Sequence, residues 1–469
     1  MAAEAGFDLD GVRAVVAGID GLRAIGMREI TIGPAAIDRL VPAVASLRRG
    51  DGPVTMLVDR TPMRRGGADL KADIARRLEG AFPSRCVVIG PDRELHADEA
   101  AVAEADAAIA GASCVVTVGS GTITDIGKDA SFRAGGIPFV VVQTAVSVNA
   151  FSDDMAVLLR DGVKRTVPSR WPDVLLVDLE VLADAPLELN RAGFGELTAM
   201  FTAPADWYLA SVVGIDDSYR EGVTALFRAQ GERFLASAAG VARRDRASLA
   251  DLARLMTLSG IAMGVAGRTA PFSGMEHTVS HLLDMAAGRD GREPALHGGQ
   301  VGVAAAIVAI VWRRLLRRFD PDRLLSDAAF PSPTMMEQRI EAGFGTIDPS
   351  GRVSAECWRD YQRKLSRWSE RRPGMAAFAR NWPQHRRVIE GLIGTPESII
   401  AGLRQSGCPT RFADLSPAPP RETVAWALEH CHLLRDRFTV ADLCFLGDSW
   451  GPDDVDEVLS EAAAMGAGA

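Results

Sequence analysis

The chain has 469 residues, 47% of them apolar and 24% charged, and a formal net charge of −9. That length exceeds one ordinary core, so two domains are expected. The acidic balance, with Arg interspersed among Asp and Glu, excludes the basic stripe of a nucleic-acid-binding surface. The N-terminus has no basic stretch followed by an apolar core, so no signal peptide is predicted. The longest apolar run, Val301 to Trp312, is too short to span a bilayer and reads as a buried helix. The six cysteines (Cys86, Cys114, Cys357, Cys408, Cys431 and Cys444) form no CxxC pair, which suits reduced, mostly buried thiols in a cytoplasmic protein.

Over the first 180 or so residues, short apolar runs alternate with amphipathic segments. Val54 to Asp59, Cys86 to Ile89, Cys114 to Val118, Phe139 to Val142 and Val174 to Asp178 read as strands. Continuous β-branched runs without alternation suit strands buried on both faces of a parallel sheet. Helical stretches such as Asp69 to Leu78 and Asp98 to Ala110 lie between them. This is the pattern of an open, wound α/β domain, assigned to residues 1–185. From Pro186 onward helical patterns dominate and clear strands are absent. Residues 186–469 are therefore expected to form an all-helical domain, with loops at Thr269–Phe272, Pro331–Pro333 and Pro417–Pro420. The acidic, Ala/Gly-rich end after about Gly451 reads as partly mobile.

In chain order, the first chemical signal is Asp59 at a strand end. It could accept hydrogen bonds from an adenosine ribose, or simply cap the next turn. Gly119-Ser120-Gly121-Thr122 follows a strand and opens a helix that continues through Asp125. Glycines there let backbone N–H groups approach a pyrophosphate, although a tight strand-to-helix turn has the same look. Thr144 to Asp153, including Ser147 and Asn149, follows the fourth predicted strand, where open α/β sheets bind ligands. Glu196 stands in the Gly-flanked run Ala192-Gly193-Phe194-Gly195-Glu196. Finally, His277, His281 and His297 are three of only seven histidines. The first two, four apart, project from one helical face. One carboxylate and two or three imidazoles from separate helices make an open divalent-metal site that polarises a hydroxyl or carbonyl.

Taken together, these segments resemble the sn-glycerol-1-phosphate dehydrogenase family. Its superfamily also holds iron-containing alcohol dehydrogenases, glycerol dehydrogenase and dehydroquinate synthase. The resemblance is carried by Gly119 to Ile126, Ala192 to Glu196, Ala205-Asp206-Trp207, Ser273 to His281, Leu296-His297-Gly298 and Leu434 to Thr439. It implies a Rossmann-like domain followed by a helical metal-binding domain, as in dehydroquinate synthase, with NAD or NADP in the cleft between them. It places the cofactor phosphates over Gly119, Ser120, Gly121 and Thr122, with Asp59, Asp125, Thr144 and Ser147 on the same cofactor. It implies one divalent metal on Glu196, His277 and His297, zinc first and nickel or iron next. His281 becomes a proton-relay group, and the assembly a homo-oligomer.

Three departures cluster at this site. The family's ligand aspartate is Glu196, its lysine four residues later is Met200, and its Asp-Gly after the fourth strand is Asn149-Ala150. Met200 and Asn149 therefore sit where substrate specificity and part of the catalysis would lie, and losing a cation weakens recognition of a phosphate. The expected function is metal-dependent, NAD(P)-linked interconversion of a small polyol or glycerol phosphate and its ketone. Glu196 and the His277–His281 spacing also allow a sugar-phosphate cyclase or lyase, and Asn149 and Met200 a non-catalytic binding descendant. Asp59 would disfavour NADP, whereas Arg60 would attract it.

Overall fold

The computed structural model describes residues 6–91, 95–160 and 163–469. Contacts group the chain into two units, Met1–Gly193 with Gly222–Arg268, and Phe194–Glu221 with Thr269–Ala469. This interleaved division differs from the single boundary expected near residue 185. The helix Arg246–Ala266 packs on Leu179–Asp184 and on the strand Glu29–Gly33 of the first unit. Helical periodicity reveals the apolar stripe of such a segment but not the element that covers it.

The first unit is built on a six-stranded parallel sheet. Its strands are β1 (Glu29–Gly33), β2 (Val54–Val58), β3 (Ser84–Val88), β4 (Cys114–Gly119), β5 (Phe139–Gln143) and β6 (Val174–Asp178). They lie in the order β1-β6-β5-β4-β2-β3. Every residue of β2, β4, β5 and β6 is buried, as both-face coverage requires. β3 is an edge strand and its Cys86 is exposed, unlike the inner strand that the apolar run predicts; the other five cysteines are buried. β1, and the antiparallel hairpin of Met155–Arg160 with Val163–Pro168, are additions to the predicted set.

From β3 the chain crosses back over β2 to β4, and the winding reverses there. Val58 pairs with Val118 and Gly119 with Gln143. Asp59, Ser120 and Thr144 therefore leave neighbouring strands at their carboxyl ends, the ligand-binding edge of a wound sheet. The loop after β5 is held from below by a buried cation. Lys128, on helix α1 (Gly121–Arg133), is 0% exposed and donates at 2.6 Å to both the Ala150 carbonyl and Asp153 Oδ1. Asp125 Oδ1 lies 3.3 Å from the same ammonium.

The second unit is helical, and among the described residues beyond Asp178 the only β pairing is an isolated bridge, Arg411 to Gly468. Met275–Arg289 and His297–Arg318 pack against one another at its core. The apolar run inside His297–Arg318 extends into a helix of 22 residues, long and apolar enough to cross a bilayer, as is Arg246–Ala266. Their apolar windows are 89% and 78% buried inside the protein, which marks both as core helices. The C-terminal end, expected to be partly mobile, forms the helix Pro452–Ala464, with Val455, Val458, Leu459 and Ala462 buried.

Removing the cation from the Lys128 cluster strands two buried carboxylates. Burial already drives Asp125 up to about 7 against the pull of Lys128, and raises Asp153 as well. Lys128→Met is expected to destabilise the protein by about 3–5 kcal/mol at pH 8. The cost should shrink toward pH 5, where a carboxyl with a raised pKa takes up a proton on folding. Urea unfolding at the two pH values checks both magnitude and sign.

Candidate metal centre and dinucleotide turn

In the second unit, Glu196 lies at the end of helix α2 (Leu187–Leu197), His277 in the first turn of α3 (Met275–Arg289), and His297 at the start of α4 (His297–Arg318). One donor atom from each falls within 4.8 Å of the other two. His277 Nε2 is 3.3 Å from Glu196 Oε1, and His297 Nε2 is 3.7 Å from Glu196 Oε2. Ligands about 2.0–2.1 Å from a tetrahedral ion stand about 3.3 Å apart, so these residues fit a divalent metal without large movement. Imidazole nitrogen and carboxylate oxygen suit zinc, nickel or iron.

Main chain sets the spacing. A Cβ on Gly195 would lie 2.1 Å from the Gly298 carbonyl oxygen, so only glycine lets the turn bearing Glu196 approach the start of α4 this closely. Each histidine is supported on its far side. His277 Nδ1 is 3.0 Å from Glu276 Oε1, and His297 Nδ1 is 2.9 Å from Ser280 Oγ. A carboxylate only accepts, so His277 carries its proton on Nδ1 and presents Nε2 to the centre. Glu276 is 0% exposed and also accepts from Gly274 N and Thr202 Oγ1. Sequence reading missed it, because a glutamate beside a ligand gives no signal of pointing the other way.

Burial alone would depress His277 and raise Glu196. The facing carboxylates Glu196 and Glu276 win at His277 and lift it to about 9. His277 and His297 hold Glu196 below its ordinary value. His281 stands apart from this trio. It is half-buried, and Arg435 Nη2 lies 2.9 Å from its Nδ1. Guanidinium only donates, so Nδ1 accepts and the ring proton sits on Nε2. Met200, buried at 1% exposed, lies in a short turn after Glu196.

In the first unit, Gly119 and Gly121 make room for the turn. A Cβ on Gly119 would meet Ile123 at 2.3 Å, and one on Gly121 would meet Val148 at 2.6 Å. Ser120 starts α1 without a side-chain cap, so its own side chain does not occupy the helix start where an anion would bind. Thr144 is buried and Ser147 and Asn149 are half-buried along the adjoining loop. Two of the expected cofactor residues have partners within their own unit. Asp125 is 5% exposed, faces Lys128 and accepts from Val157 N, which secures the hairpin. Asp59 is paired with Lys71 at 2.7 Å and accepts from Thr61 N and Oγ1, so its carboxylate is engaged within its own unit.

A raised histidine and a metal compete for one nitrogen. Apparent zinc affinity should therefore rise with pH until His277 loses its Nε2 proton near 9, as competition titrations with a chelator would read. In the metal-free protein the His277 contribution to stability is complete below about 6.5 and is lost as pH rises through the folded value. Glu196→Gln should flatten that slope.

A family profile described as iron-containing alcohol dehydrogenase matches residues 31–186. The glycerol-1-phosphate dehydrogenase (NAD(P)+) of Bacillus licheniformis is 30% identical over 296 residues, 62% of this chain and 71% of that protein. The one from Bacillus subtilis is 28% identical over 344 residues, 71% of this chain and 82% of its own length. In fold, the chain is similar to a probable glycerol dehydrogenase from Sinorhizobium meliloti 1021, with a TM-score of 0.59 and 17% identity, covering 95% of this chain and 99% of that one. The glycerol dehydrogenase of Schizosaccharomyces pombe matches at a TM-score of 0.55 and 12% identity, covering 94% and 90%. With sheet, metal-ligand geometry and sequence all agreeing, the chain belongs to the glycerol-1-phosphate dehydrogenase family, oxidoreductases that use NAD(P) and act on CH–OH groups.

Proposed function

We propose that this chain interconverts a small polyol, or a glycerol phosphate, and its ketone, using NAD(P) and one divalent metal. The convergence of Glu196, His277 and His297 within 4.8 Å carries this reading. A bound ion supplies Lewis acidity toward the reacting oxygen, and a bound nicotinamide supplies hydride exchange. The protein's own work is binding and orientation. Gly119 to Thr122 and the N-terminus of α1 receive the cofactor phosphates, and Thr144 and Ser147 line the adjoining loop. His281, with Nδ1 taken by Arg435, keeps its ring proton on Nε2 for exchange with the substrate oxygen. Asn149 can hydrogen-bond substrate but cannot act as a base at neutral pH.

The Lys71–Asp59 pair supports use of both cofactors. The ammonium offsets the carboxylate charge that would repel a ribose phosphate, while Arg60 stands next in sequence. The buried Met200 favours an unphosphorylated substrate over a phosphorylated one. Free cysteines fit a cytoplasmic protein, and we take its assembly to be a homo-oligomer, which size-exclusion chromatography measures.

Metal-loaded protein should oxidise NADH or NADPH in the presence of dihydroxyacetone, its phosphate or a related ketose, and Glu196→Ala should abolish both metal retention and turnover. If no ketone in such a panel is reduced by the zinc, nickel or iron form, the reading fails. Met200→Lys should shift kcat/KM toward the phosphorylated ketone by about tenfold or more, the worth of one charged hydrogen bond. An unchanged ratio would remove Met200 from substrate selection.

A further inference from the structure

The support behind His297 is less direct than that behind His277, and it continues beyond Ser280 through residues with no role assigned so far. Ser280 Oγ lies 2.9 Å from His297 Nδ1 and 2.9 Å from Gln300 Oε1. Gln300 is 2% exposed, and its Nε2 donates at 3.1 Å to Asp284 Oδ1 and at 3.1 Å to the Ala295 carbonyl. A carboxylate and a carbonyl oxygen only accept, so the amide NH2 must face them and the amide oxygen must face Ser280. An amide oxygen also only accepts, so the single hydroxyl hydrogen of Ser280 goes to Gln300. Ser280 is left with lone pairs for His297, and His297 must hold its proton on Nδ1.

The alternative tautomer is not idle. A proton on His297 Nε2 would point toward Glu196 Oε2, 3.7 Å away, and close the centre as an imidazole–carboxylate pair. Nothing on the metal side prevents this, because Glu196 itself favours a donor.

We propose that Asp284, Gln300 and Ser280 form a polarity lock that fixes the tautomer of His297, with Gln300 as its positioning residue. The lock rests on the reading of Glu196, His277 and His297 as a metal centre. Its donors all point one way: His297 Nδ1–H to Ser280, Ser280 O–H to Gln300, and Gln300 N–H to Asp284. The chain ends on a carboxylate, so each bond polarises the next and makes Nε2 a better ligand. His277 obtains the same result in one step from Glu276. The centre thus uses a carboxylate behind each imidazole, one in contact and one relayed through an amide and a hydroxyl.

The test is zinc affinity by chelator competition, together with the visible spectrum of the cobalt-loaded protein, on the full chain. Gln300→Leu frees the Ser280 hydrogen to turn toward His297 Nδ1, and Ser280→Ala removes the acceptor. Each should weaken zinc binding by about 10–100-fold, the usual effect of losing an outer hydrogen bond to a ligand, and shift the cobalt spectrum. Ser280→Thr keeps the hydroxyl and should bind close to wild type, a rescue that general loss of packing would not give. Should Gln300→Leu fail to fold, the Ser280→Ala and Ser280→Thr pair carries the test alone. Wild-type affinity and an unchanged cobalt spectrum in Ser280→Ala overturn the lock and leave the metal centre standing. A wild-type protein whose zinc binding is absent, or unaffected by Glu196→Ala, overturns the metal centre and the lock with it.

Discussion

Two buried carboxylates, Asp206 and Glu276, hold the second unit in the arrangement on which its chemistry depends. Asp206 accepts from Met275 N and Val440 N, both at 2.8 Å, so one side chain caps the starts of two helices from a third. Glu276 ties Gly274 and Thr202 together and turns His277 toward Glu196. A Cβ on Gly274 would lie 2.5 Å from Asp206 Oδ2 and 3.0 Å from Glu276 Oε2, so the two acids pack against a residue with no side chain. Burial and the neighbouring Glu276 push the Asp206 carboxyl well above its ordinary value. Arg437, itself lowered by burial, reaches the Ser273 hydroxyl at 2.6 Å and Thr269 Oγ1 at 2.7 Å beside them. Such a network is expensive to bury and is retained where it fixes one geometry.

That architecture explains which parts were legible in the sequence. Glu196, His277 and His297 stand out because their side chains are chemically distinctive and their spacing puts them at helix ends. The sheet was legible from β-branched runs, and the turn at Gly119 from glycine and position. Glu276, Ser280, Gln300 and Arg435 were invisible as site residues, because their roles come from direction rather than type. The partner of Asp125 was hidden for the same reason: one turn into α1, it faces Lys128. Helix Arg246–Ala266 and the C-terminal helix show two further limits. An apolar stripe does not name its partner, and an Ala/Gly-rich composition hides the i, i+3, i+4, i+7 spacing of Val455, Val458, Leu459 and Ala462.

The two units divide the chemistry between different kinds of support. In the first, the proposed binding groups are backbone N–H groups at strand ends and a helix start, and the buried charge of Lys128 holds the loop after β5. In the second, side chains do the binding and other side chains aim them. Backbone recognition tolerates replacement of the residues around it. Side-chain recognition depends on each hydrogen bond behind the ligand.

Gly195 against Gly298 adds a different property to the metal centre. Because main chain meets main chain there, the approach of α2 to the start of α4 is set by backbone contact rather than by side-chain bulk. Side chains nearby in the second unit, such as Met200, can then change without altering the span offered to an ion.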